Sequence, residues 1–421
     1  MHIIFLLLIL VLKLPSFYFL PSSSSLFTSH SLVKIGVVLI AMYMLYDEKI
    51  RRAAGRAVLS NMPIILFLFS QSISVICAKD VGLFWKSYHN LLISILIFFK
   101  AALLFGKRRN LIVRFLFLVA IITTGLEVAL YLVPKDLFRL LPFQSEILDA
   151  FIVNLDRNRF SFESHNEFLL LVLLFVSFTS LSKKRRFVGL IISVVLIALS
   201  FYSSNRTRLI SLMGALIFFI VSFFHLRFIN HKGRSANIVF TLIAAFVFVF
   251  ILFPPRAMFE RIFAPSESSD YETIIFRIDS IKHSALLLQS SPLLGVGLGN
   301  YPLYPAIHRY VPPYEFGKSA QNRYDKAVPA SPHNIFAQVG AETGIVGLGS
   351  FVFLIFWFIR KDVEMWRKGK DIKMVLSFCS WIIFLTFLFN PSHTLYISGW
   401  FWFLRGVIYS KNHSIPLITK S

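Results

Sequence analysis

Apolar residues arrive in runs of membrane-spanning length along the whole chain. Twelve runs can be marked, at 3–20, 31–46, 58–78, 83–104, 110–133, 165–182, 187–204, 208–226, 236–254, 334–359, 374–390 and 393–410. About twenty apolar residues in helical form cross the hydrocarbon core of a bilayer. Backbone groups in lipid must be satisfied internally, which leaves helices or a closed barrel. Barrel strands alternate apolar with polar residues, whereas 168–178 and 238–253 are apolar almost all round. The pattern predicts an all-α polytopic membrane protein of about twelve transmembrane helices. The first run is the most broken, because Lys13 and Pro15 interrupt it.

The connections orient these runs. Basic clusters follow the second, fourth, sixth, eighth and tenth: Lys49/Arg51/Arg52/Arg56, Lys107/Arg108/Arg109/Arg114, Lys183/Lys184/Arg185/Arg186, Arg227/Lys232/Arg234 and Arg360/Lys361/Arg367/Lys368/Lys370/Lys373. Cytoplasmic connections carry the excess of Lys and Arg, so both termini are expected in the cytoplasm. The remaining connections face outward, and two are long, 134–164 and 255–332. Loops of that length are usually functional. In the second, Ile274, Ile278, Ile281, Ala285 and Leu288 share one helical face, which predicts an amphipathic helix at the membrane surface. Three regions follow: helices one to nine over 1–254, the long outer loop over 255–333, and three last helices with a tail over 334–421.

Composition narrows the chemistry. With 56% hydrophobic and 15% charged residues, the chain has too little polar surface to cover a soluble globule. Its net charge of +22 is dispersed in short clusters rather than gathered in a patch, which fits attraction to anionic membrane lipid and argues against nucleic acid. Cys77 and Cys379 both sit in apolar runs, so neither a disulfide framework nor a metal site is expected. The N-terminus lacks the basic start of a signal peptide and reads as a retained first helix.

A few polar residues break the pattern on the outer side. Arg206 and Arg208 lie in a short outer turn, where the charge rule disfavours cations. They could be arginines snorkelling to headgroups, or an anion site, since the guanidinium fork suits phosphate oxygens. His333 precedes the tenth run beside Asn334, as a cap, a packed polar group or a base. Arg159, His165 and Arg277 are further outward polar residues, each readable as a solvated group. Gly340, Gly344 and Gly347 recur at helical spacing and suggest close helix–helix contact in support of His333. The glycines of 295–299 lack the strand–turn–helix context of a phosphate loop. No Asp-x-Asp pair occurs, which argues against a metal-bound nucleotide-sugar donor. Glu127 and Lys100 lie within apolar runs, with no paired charge or repeated half in evidence.

Three blocks together resemble a known family. His333-Asn334, nine residues, then Gly344-Ile345-Val346-Gly347 resembles the H-[NSQ]-x9-G-x-x-[GTY] signature of bacterial O-antigen ligases. Asn205-Arg206-Thr207-Arg208-Leu209-Ile210 is similar to that family's arginine motif, with Asn205 where serine or threonine is frequent. Arg277-Ile278-Asp279, followed by the 291–297 turn Ser-Pro-Leu-Leu-Gly-Val-Gly, is similar to its loop segment. The resemblance spans roughly 160–360. It implies a GT-C type glycosyltransferase of the inner membrane with a periplasmic active site. The donor would be polysaccharide on undecaprenyl pyrophosphate and the acceptor the lipid A core, with no cofactor. By carry-over His333 would be the base, and Arg206 and Arg277, with Arg208 as a second cation, would bind the pyrophosphate. Two alternatives stay open: the related O-antigen polymerase, and a lipid-oligosaccharide flippase. A carrier would place its polar site near the midplane between related halves, whereas these residues gather on one face.

Overall fold

The computed structural model describes residues 2–13, 29–46, 48–105, 109–132, 166–179, 182–202, 206–226, 269–304, 332–367, 371–389 and 395–410. These residues form thirteen α-helices and two 3₁₀ turns, with no strand among them. The helices are α1 (His2–Val11), α2 (Ser29–Tyr46), α3 (Glu48–Ser60), α4 (Met62–Ile73), α5 (Val81–Leu104), α6 (Arg109–Leu132) and α7 (Phe168–Thr179). They continue with α8 (Lys183–Tyr202), α9 (Arg206–Leu226), α10 (Ser269–Ser290), α11 (Ile335–Arg367), α12 (Asp371–Phe387) and α13 (Leu395–Tyr409). The 3₁₀ turns are Ser74–Cys77, which extends α4, and Tyr301–Leu303.

Three described helices are long and apolar enough to cross a membrane, at Val81–Leu103, Leu111–Ala129 and Ile335–Arg367. A fourth span is available if the bent pair Arg51–Ser60 and Met62–Cys77 is taken together. Ser31–Tyr43, Phe168–Ser177, Thr207–Phe219 and Ile372–Phe387 are shorter apolar helices. The helical class expected from the apolar runs is therefore present. The run at 236–254 lies outside the described residues, as do Arg159 and His165.

Helices apolar all round can bury one side against protein and offer the other to lipid. On α11, Phe351, Leu354 and Phe358 are buried, while Ile345, Phe353 and Phe356 are exposed. α5 runs along α13, α4 and α10 flank α11, and α12 touches α7, α9 and α13. Aromatic rings fill these seams, with Phe98 edge-on to Trp402 and Phe115 stacked on Trp400. Such pairs add about 0.5–1.5 kcal/mol each beyond the area they bury.

One buried charge pair joins α11 to α13. Arg405 of α13 donates to Asp362 of α11 at 2.7 Å, and Trp381 Nε1 donates to the same carboxylate oxygen at 2.7 Å. The Arg405 guanidinium also lies 4.6 Å from the Phe358 ring and 4.4 Å from the Trp381 ring. A charge kept from water needs such partners.

Candidate active site

The helix carrying the family-like signature is not continuous. Gly344 interrupts α11 with φ 65° and ψ −166°, values open to glycine alone. Into this break fits the Ser291–Asn300 turn. Val296 N and Gly297 N donate to the carbonyls of Ala341 and Glu342 at 3.0 and 2.9 Å. In return, Ile345 N and Val346 N donate to those of Pro292 and Leu293 at 2.8 and 3.3 Å. A side chain at Gly344 would strike the Leu293 carbonyl, and one at Gly295 would lie 2.6 Å from the Ala341 oxygen. The two glycine-bearing segments are halves of one joint.

This corrects, at Gly344, the reading of the α11 glycines as a helix–helix contact stripe. Gly344 admits a loop backbone rather than a helix. Gly347 lies under the Thr343 side chain and faces Gln71 of α4, and Gly340 has room for ordinary contact with Leu288 of α10, so these two keep a helix–helix setting. Helical spacing was the wrong frame for Gly344 because the helix breaks there.

The joint connects α10 to α11, and each brings one candidate residue. α10 is the helix expected in the long loop, but its apolar and polar residues are only weakly segregated. Asp279, Ser280, His283 and Ser284 are buried against the protein, while Ile278 and Ile281 stay 48% and 44% exposed. Lys282 and Gln289 are exposed beside these isoleucines and Leu287 is buried, so the outer side of α10 mixes apolar and polar residues. Tyr301 closes the polar layer: it is fully buried, its hydroxyl donates to Ser280 O at 3.1 Å, and its ring stands edge-on to His283 at 5.4 Å. Burial pushes the Tyr301 hydroxyl up to about 12, so it remains a donor.

His333 stands just before α11 with φ 52°, a left-handed conformation uncommon outside glycine. Asn334 holds the turn, since its Oδ1 accepts from Ala337 N at 3.1 Å as an N-cap. The half-buried imidazole places Nδ1 3.3 Å from the carbonyl oxygen of Phe389, beyond the end of α12. An Nδ1–H donating there leaves Nε2 with its lone pair. Burial, then the Arg277 cation, lower the His333 pKa from its ordinary value, against the opposing pull of the Phe389 carbonyl. The ring is thus neutral at physiological pH and within electrostatic reach of Arg277. Next along α11, a small apolar cleft runs between Ile335, Val339, Phe351, Phe384, Phe387 and Phe401.

The arginine turn separates into two fates. Arg206 is the first residue of α9, with its side chain outside the described residues. Arg208 is fully buried: Nε donates to Glu167 at 2.6 Å and Nη2 to Glu127 at 3.1 Å. Asn166 and Ser200 donate to the same two carboxylates, both at 3.1 Å. Lys13 lies 4.6 Å from the Phe168 ring and interacts electrostatically with both glutamates. Arg208, offered by the sequence as a phosphate ligand, sits where it anchors helices. Glu127 does have a paired charge, and Lys13 turns inward to the cluster instead of merely breaking an apolar run. Sequence reasoning missed Glu127 and Glu167 as partners because they lie 81 and 41 residues before Arg208. The available signal was that an ionisable residue within a membrane run is rarely idle.

Among the described residues, no group of three or more His, Cys, Asp or Glu side chains could hold a metal ion. No curated protein sequence matches the chain. A family model, O-antigen ligase, matches residues 191–352, the stretch that holds Arg206, Arg208, Arg277, the loop–helix joint and His333. Residues 191–352 thus match the O-antigen ligase family, a group of glycosyltransferase-like membrane enzymes.

Proposed function

We propose that the protein is an O-antigen ligase of the bacterial inner membrane. It transfers polysaccharide from undecaprenyl pyrophosphate to a lipid A-core acceptor at the periplasmic face. The observation that carries this reading is His333: a neutral imidazole, tautomer set by Phe389, beside Arg277 and next to an apolar cleft. Nε2 takes the proton of the acceptor hydroxyl as its oxygen attacks the anomeric carbon. A new C–O bond forms there as the bond to the pyrophosphate oxygen breaks, and the pyrophosphate leaves with the electron pair. General-base assistance of this kind supplies about 10²–10⁴-fold. Arg277, with Arg206, stabilises the growing charge on the leaving group as a fixed guanidinium clamp. Arg208 serves this site as an anchor for the start of α9. The apolar lining of the cleft is of the chemistry that a hydrocarbon chain on the donor would contact.

The test is reconstitution of the purified protein with lipid-linked polysaccharide and either lipid A core or a second lipid-linked glycan. Extension of the core supports the ligase; extension of the second glycan alone would make the protein the related polymerase. Loss of transfer in His333→Ala is expected, and full activity of that variant would overturn the mechanism.

A further inference from the structure

At the far end of α4 from this site the chain makes a sharp corner. Near one end, Ser74 Oγ accepts from Leu298 N at 3.1 Å, beneath the loop that enters the α11 break. At the other end, α3 and α4 meet at 82°. The corner is built from local rules. Asn61 Nδ2 donates back to Ala57 O at 2.6 Å, and Pro63 occupies the first turn of α4. If α4 and its 3₁₀ extension cross the bilayer, α3 lies close to the membrane plane.

α3 is amphipathic, and its two sides meet different surroundings. Ala53 is buried, and Ala54, Ala57 and Val58 are partly so. Arg51, Arg52, Arg56 and Leu59 are exposed, with Arg52 and Arg56 one turn apart. Leu59 is 73% exposed, and the exposed stripe of α4 takes over at once with Met62 (57%), Leu66 (48%) and Phe69 (62%). That stripe is spaced at i, i+4 and i+7, the pattern of one helical face. Large apolar side chains so exposed on a membrane helix face lipid acyl chains. The guanidinium groups therefore stand where the acyl-facing stripe ends, at headgroup depth. Glu48 pairs with Arg52 but leaves the corner cationic, three arginines against one glutamate.

We propose that this corner is a binding site for an anionic phospholipid of the surrounding bilayer. The headgroup phosphate sits at Arg52 and Arg56, and the acyl chains lie along Leu59, Met62, Leu66 and Phe69. The guanidinium fork matches phosphate oxygens two at a time, and cations at the surface of an anionic membrane are drawn to it individually. Nothing in the site takes part in the transfer chemistry, so it stands or falls separately from the proposed reaction.

The experiment uses the full-length protein in phosphatidylcholine vesicles with trace spin-labelled phosphatidylglycerol or spin-labelled phosphatidylcholine. The measured quantity is the motionally restricted fraction of each label. The wild-type protein is expected to prefer phosphatidylglycerol, and Arg52→Gln/Arg56→Gln to lose that preference severalfold. Arg52→Lys/Arg56→Lys should keep most of it, since the charge remains. Both positions are exposed, so the variants should fold, and unchanged thermal unfolding checks this. An equal preference in wild type and the glutamine pair overturns the proposal. So does release of the label by millimolar inorganic phosphate at constant ionic strength, which would make the corner a site for a free anion.

Discussion

Gly344 and Gly340 lie one turn apart on α11, yet the structure assigns them opposite responses to alanine. At Gly344, φ 65° and ψ −166° are open only to glycine, and holding another residue there costs about 1–3 kcal/mol. The added Cβ would also meet the Leu293 carbonyl and lie 2.6 Å from Leu294 N, both backbone atoms that cannot swing aside. Moving the loop away loses the bonds from Ile345 N and Val346 N, each worth about 1 kcal/mol net. Together the local cost is roughly 3–5 kcal/mol. At Gly340 the added Cβ would make ordinary contacts, 3.5 Å to Leu348 and 3.7 Å to Leu288, within regular helix. There alanine should be neutral or stabilising by up to about 1 kcal/mol. Hydrogen exchange followed by mass spectrometry reads the joint directly. In Gly344→Ala, amides over 292–297 and 341–346 should lose protection, and glycan transfer should fall at least tenfold through displacement of Arg277 from His333. Gly340→Ala should match the wild type in both. If the two variants behave alike, the joint is not what the glycine signature specifies.

The pH dependence of kcat/KM tests the base. A histidine base must be neutral, so the rate is lost as pH falls through its pKa. Burial and Arg277 lower that pKa, placing the acid limb below the ordinary value of 6.5. In Arg277→Gln the residual activity should show this limb moved to higher pH. Arg208→Gln takes from Glu127 and Glu167 the cation that donates to both, with only Lys13 left nearby; removing one partner of a buried pair costs about 3–5 kcal/mol, visible as a lowered thermal midpoint in detergent. Asn334→Ala removes the N-cap of α11 and should cost about 1 kcal/mol with a larger loss of transfer, whereas Asn334→Ser should retain most of both.

Local rules wrote a good part of this molecule in readable form. Most described helices overlap the apolar runs, but α3 lies on the basic cluster read as a connection, the 58–78 run breaks after Ser60, and α11 runs on through Arg360 to Arg367. α10 lies within the stretch where a helix was expected in the long loop, though its faces are mixed. His333-Asn334 was legible as a helix opening, since an asparagine cap acts over three residues. Arg277 and His333 were named as site residues from motif resemblance, and the structure brings them within electrostatic reach of each other. Gly344 was misjudged for a definite reason: a helix break filled by a loop some fifty residues earlier in the chain leaves no local trace except glycine itself.

What the sequence determined alone, then, was the solvent of each segment and the chemistry on offer, because hydropathy and side-chain identity are properties of single positions. Tertiary structure decided how those positions are used. Arg206 and Arg208 differ by two residues in a common motif, and only the arrival of Glu127 and Glu167 turns the second into a buried anchor. Two glycine-rich segments became one joint only when their backbones exchanged hydrogen bonds. Pairing of charges and backbones depends on distance in space, and distance in space is what a linear sequence does not carry.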